Sequence, residues 1–174
     1  NATEFSTAIS GFREIIGRAS TSEGVRKQLQ LTHEALGDAL CRSAILTKSA
    51  SHAKEALASF EKAEGEADPK DLPLVNRLNA NIAESMLWVA WLEENAATDL
   101  IERSISRMEG FLMKAVASGE EANIARAHSV LGLAYYLRAR SCDSPDSLET
   151  SIQHCDTALE RRRTIGVKLD IEVS

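Results

Sequence analysis

His33-Glu34 is the pair nearest to a zinc-protease helix, but the second histidine that would complete the metal-binding face is missing, because position 37 is Gly. Cys142, His154 and Cys155 meet across one predicted hairpin, yet a zinc site needs four ligands with short pair spacing and no fourth stands nearby. The histidines at 33, 52, 128 and 154 fall on four different helices, and none shares a local motif with a serine or cysteine nucleophile. Gly11 and Gly17 lie within or at the end of a helix and Gly24 stands alone, so no phosphate-cradling loop exists. The reactive side chains are dispersed. The expectation is a non-enzymatic chain with no cofactor and no metal.

Composition narrows the partners. A formal charge of −6 opposes phosphate backbones and anionic lipid, which need a positive field, so neither nucleic acid nor membrane is expected. Arg161-Arg162-Arg163 is the local exception, and it reads as solvated charge favouring the carbonyl end of a helix. Three cysteines, Cys41, Cys142 and Cys155, form an odd set in a chain of ordinary size, which points to reduced thiols and a cytoplasmic, reducing compartment. No apolar run approaches a membrane span. The start at Asn1 rather than Met leaves room for an upstream segment carrying an address, and Asn1-Ala2-Thr3 matches a glycosylation sequon, a triplet common by chance.

These side chains must be carried by helices. With 44% hydrophobic residues, nine glycines and three prolines in 174 residues, the chain is rich in helix formers and large enough for one domain. Apolar residues recur at steps of 3 and 4 throughout, and seven helices follow. The first, about 4–19, places Phe5, Ile9, Phe12, Ile15 and Ile16 on one stripe; Ser20 and Glu23 then have the spacing of a capping box. The second runs to about Ser49, the third from about Ser51 to Glu66, and Pro73 suits the first turn of the fourth, about 72–94. The fifth, 97 or 98 to 118, is closed by Gly119 as a left-handed cap, and Gly110 is expected to bend it. The sixth covers about 120–140. The seventh starts at Ser144-Pro145, runs through Leu148, Ile152, Cys155 and Leu159 and ends near Gly166.

The chain also repeats itself. Leu36-Gly37 and Leu131-Gly132 stand 95 residues apart, and in each copy the glycine precedes the first small residue of the next helix, Ala56 or Ser151, by 19 positions. Small, large and small then recur as Ala56, Phe60, Ala63 and as Ser151, Cys155, Ala158. A glycine inside a helix costs about 1 kcal/mol against alanine, so close approach of the following helix is the expected reason for it. Hairpins so built expose an apolar face on each side and must stack, here with a pitch of about 47 residues.

Leu131-Gly132 with Tyr135, Ser151, Cys155 and Ala158, and Leu36-Gly37 with Leu40, Ala56, Phe60, Ala63 and Pro69, resemble the tetratricopeptide repeat (TPR) signature, with roughly one extra turn in each helix. In the middle pair Ser85 and Trp88 fill the glycine and tyrosine places, Ala97, Ile101 and Ser104 follow, and Glu84 stands where leucine belongs. The resemblance implies an all-α, right-handed superhelical stack of antiparallel helix hairpins, a TPR-like α-solenoid. It would comprise a capping helix (1–22), three helix pairs over 23–166 (about 23–70, 71–118 and 119–166), and a tail or start of a further helix at 167–174.

It further implies a concave groove lined by the first helix of each pair, a scaffold for protein–protein interaction whose partner is a protein or peptide segment. Matched by position, Glu34, Asp38 and Cys41 would face the groove from the first pair, and Arg126, Ser129, Leu133 and Tyr136 from the last. Asn79, among the amides Asn76, Asn79 and Asn81, joins them as a hydrogen-bonding candidate, while Trp88 and Trp91 read as core. A subset of the family clamps a C-terminal carboxylate with Lys and Asn at the places held here by Glu34 and Asp38; two acids repel that ligand. A ligand-sensing regulatory domain and a self-associating module, a homo-oligomer, are the alternative readings.

Overall fold

The computed structural model describes residues 2–18, 23–93 and 97–166. Within them the chain forms seven helices and no strand: α1 (Ala2–Arg18), α2 (Glu23–Thr47), α3 (Ala50–Glu66), α4 (Leu72–Leu92), α5 (Ala97–Ser118), α6 (Glu121–Cys142) and α7 (Pro145–Thr164). None of these helices is long and apolar enough to cross a membrane. The capping box at Ser20, the sequon at Asn1 and the tail 167–174 lie outside the described residues.

Local chemistry explains the ends. Asp71 caps α4 by accepting from the Leu74 amide at 3.1 Å, and Ser144 caps α7 by accepting from the Ser147 amide at 3.3 Å. A proline, with no amide to leave unpaired, stands within the next two residues of each, Pro73 after Asp71 and Pro145 after Ser144. Gly119 closes α5 at φ +70°, and Asp143 ends α6 in the same left-handed region. α5 runs unbroken through Gly110, so the expected bend marks no break in the helix.

Each helix packs on the next in sequence. The backbones of α2 and α4, and of α4 and α6, also approach one another, whereas among the described residues those of α3 and α5, and of α5 and α7, stay apart. Long side chains bridge that wider side, Arg107 of α5 reaching Glu64 of α3 at 2.8 Å. The core is accordingly a row of interfaces. Ile9, Leu36, Leu40 and Ala56 join α1, α2 and α3; Phe60, Leu78, Ile82 and Met86 join α3 and α4; Leu87, Ile101, Met108 and Leu131 join α4, α5 and α6.

The glycine-to-helix contacts are present. A Cβ on Gly37 would stand 2.7 Å from the Phe60 ring, and one on Gly132 would stand 2.6 Å from Cys155 Sγ. Ser151 Oγ donates to the Gly132 carbonyl at 2.7 Å, locking that crossing. The middle pair crosses elsewhere than the repeat spacing implies: Ser104 donates to the carbonyl of Ala83, while Ser85 turns to α2 and meets Cys41 Sγ at 3.3 Å. Several apolar residues of the helical pattern are not buried. Ile15, Leu148, Ile152 and Leu159 are exposed, and Trp91, which reads as core, is too. Each lies on a helix whose periodicity is correct, but on an edge or side that, among the described residues, no neighbouring helix fully covers.

Candidate functional site

Helical spacing sets Asn81, Glu84, Trp88 and Trp91 of α4 on one side, next to the face of Ala80, Ala83, Leu87 and Ala90, which are buried. α2 presents Asp38, Cys41 and Arg42 beside that side, and α6 presents Arg126, Leu133, Tyr136 and Arg140. Polar contacts tie the three helices at nearly constant separations in sequence. Arg77 donates to Glu34 at 2.5 Å, 43 residues away; Cys41 meets Ser85, 44 away; Arg126 donates to Asn81 at 2.6 Å, 45 away. Between them opens a cleft of about 250 Å³ whose walls include Asp38, Cys41, Asn81, Glu84, Trp88 and Arg126.

Beyond the cleft the same side becomes aromatic. Trp91 and Tyr136 stack with ring centroids 6.0 Å apart, and the Arg140 guanidinium lies 5.2 Å over the Trp91 ring. Trp91 is 41% exposed and Tyr136 37%, so both side chains remain partly open to solvent. Mixed charge, an amide and two open aromatic rings make a surface suited to hydrogen bonding a backbone while packing on side chains.

The electrostatics of the cleft follow from crowding. Burial between the cleft walls, and then the charge of Glu34, hold the Asp38 carboxyl above its ordinary range, against opposing pulls from Arg42, Arg126 and Arg77. Burial pushes the Cys41 thiol up to about 11, so it remains protonated at neutral pH and is a poor nucleophile.

The expected contact residues divide. Asp38, Arg126, Leu133 and Tyr136 share the α2–α4–α6 side. Glu34 does not lie open there: it is buried, accepts from Gln30 at 3.1 Å, and has both carboxylate oxygens taken by Arg77. Ser129 is likewise occupied, donating to the Ala125 carbonyl and accepting from Arg162 at 2.7 Å. Asn79 points away, accepting from Arg107 at 2.8 Å in a separate cleft of about 430 Å³ between α4 and α5. Glu84, Trp88, Trp91, Arg42 and Arg140 were missing from the expected set. Reading α4 as two sides, one of alanines and one of large polar and aromatic residues, would have found three of them.

A second polar cluster joins α6 to α7. His128 Nδ1 lies 2.8 Å from His154 Nδ1, and the His154 ring stacks on Tyr135 with centroids 5.5 Å apart. The Tyr135 hydroxyl donates to Glu109 at 3.2 Å. Burial lowers the affinity of both imidazoles for a proton; His128 is lowered further by His154 and Arg161, while Glu109 partly opposes the shift at His154. Among the described residues no three His, Cys, Asp or Glu side chains converge as a metal site would require, and all three cysteines are unpaired.

Comparison with family models, with curated proteins and with solved structures returned no match.

Proposed function

We propose that this chain is a non-enzymatic helical-repeat scaffold, a TPR-like stack of antiparallel hairpins whose concave side, formed by α2, α4 and α6, holds a peptide segment of another protein. The closer approach of α2, α4 and α6 than of α3, α5 and α7 supports a curved stack, because helices on the inner side of a curve are drawn together. The ladder of contacts 43 to 45 residues apart supports a repeating unit. Three unpaired cysteines fit a reducing compartment.

The observation that carries the binding reading is the pair Trp91 and Tyr136, stacked, exposed and continuous with the polar cleft at Asp38 and Arg126. Aromatic and arginine side chains at the centre of a surface supply most of the energy in protein interfaces. Arg126 orders the cleft by bonding Asn81, and Glu84 balances its charge. A bound segment that offers backbone amides and carbonyls to Asn81 and Asp38 and an apolar side chain to Trp91 would use the whole strip.

The test is affinity capture from native cell extract with the unmodified chain and with Arg126→Glu/Tyr136→Ala, whose fold is checked by circular dichroism. A protein enriched by the first and lost with the second supports the reading. Equal enrichment by both, or none by either, contradicts it.

A further inference from the structure

The far side of α7 carries a stripe that the groove does not use. Leu148, Ile152 and Leu159 are 45%, 55% and 40% exposed, and with Cys155 they recur at steps of 4, 3 and 4, the spacing of a coiled-coil seam. The helix face packed against α6 is centred on Ser147, Ser151 and Ala158, and Cys155 stands at the border of the two, its sulfur beside Gly132 of α6. Earlier in the chain the equivalent stripe is covered. Ala53, Leu57 and Phe60, 95 residues before Leu148, Ile152 and Cys155, pack among Leu78, Ile82, Met86 and Val89 of α4. Thus α7 presents the surface on which α3 seats another helix, and among the described residues no helix sits on it.

We infer that this stripe is the interface of a symmetric dimer, in which α7 of one copy lies antiparallel on α7 of a second copy. Charge selects both the partner and the direction. α7 bears four exposed acids, Asp146 and Glu149 near its start and Asp156 and Glu160 further on, while its three arginines, Arg161, Arg162 and Arg163, all stand in its last turns. Arg161 already pairs with Glu121 and Arg162 with Ser129, which leaves the exposed Arg163 as the principal cation for a partner. Antiparallel pairing sets each acidic start beside the other copy's basic end and also opposes the helix dipoles; parallel pairing would crowd arginines together. A two-fold axis through the middle of the helix makes both ends equivalent, as an isologous contact requires. Leu148 then meets Leu159 of the second copy, and Ile152 meets Cys155.

The contact is small. A helix of 20 residues is about 30 Å long, and one helix on one helix falls short of the roughly 1,200–2,000 Å² of a stable standard interface, so the dimer is weak and concentration-dependent.

Sedimentation equilibrium of the whole chain between about 1 and about 500 µM tests this. The mass is expected to climb from monomer towards dimer over that range. Ile152→Glu changes an exposed residue; it is expected to weaken association at least about tenfold, with an unchanged helical spectrum and melting temperature. Arg163→Glu is expected to weaken it as well, and Glu149→Arg/Arg163→Glu to restore it. A monomer at every concentration overturns the proposal. So does a dimer indifferent to Ile152→Glu, or a double charge reversal that fails to restore association. None of these readouts involves Arg126 or Tyr136, so the dimer and the groove stand or fall separately.

Discussion

Two helical glycines show how the same residue type answers to different demands. Gly37 is required by contact, since any Cβ there would enter the buried Phe60 ring. Gly110 has nothing within 4 Å of the place a Cβ would take. Gly37→Ala should therefore destabilise by about 1–3 kcal/mol through overpacking, whereas Gly110→Ala should stabilise by about 1 kcal/mol through helix propensity; chemical denaturation reads both, and equal signs would sink the packing explanation. The histidine pair gives a pH dependence with a definite direction. His128 and His154 are both held below the ordinary imidazole value of 6.5, so the unfolded chain takes up protons first as the solution is acidified. Their contribution is complete above that value and is lost as pH falls from it towards the folded values. The melting temperature should drop between about pH 7.5 and about pH 5.5, and His128→Asn should flatten the drop; an unchanged slope in the variant assigns the effect to other groups.

At the scale of the helices, partnership across repeats decides what periodicity leaves open. Local signals placed the elements well: Asp71 and Ser144 are caps, Gly119 is a left-handed stop, and the glycine-to-small spacing of 19 marks the crossings at Phe60 and Cys155. These were legible because each depends on neighbours a few residues away or on a spacing that recurs. In the sequence Glu34 looks like an open acid, because its partner, Arg77, is 43 residues distant and belongs to another helix pair. Trp91 looks like core in the sequence because an aromatic residue raises any apolar count, while its exposure depends on where α6 ends beside it. The crossing of the middle pair at Ala83 escaped for a similar reason, since alanine is too common on α4 to mark one position. The Arg77–Glu34 pair should be costly to halve. Arg77→Ala leaves a buried carboxylate with Gln30 alone and should cost about 1–3 kcal/mol, and Glu34→Gln added to it should recover much of the loss. Arg13→Ala, whose partner Glu55 is exposed, should cost less than about 1 kcal/mol. Similar losses in the two would show that burial does not set the difference.

Over the whole molecule, successive helices form a row of interfaces whose sides differ in chemistry. The side of α2, α4 and α6 combines a cleft with stacked aromatic rings; the other side is bridged by pairs such as Arg107 with Glu64. The proposed scaffold function rests on that asymmetry, and it is most directly tested by contact from defined positions. A photo-crosslinking phenylalanine derivative would replace Tyr136 in one chain and Met113, an exposed residue of α5, in another, and each would be irradiated in native extract. The groove account predicts one dominant crosslinked protein from position 136, reduced by excess unmodified chain, and none in common from position 113. The same products from both positions, or specific products from position 113 alone, would contradict it.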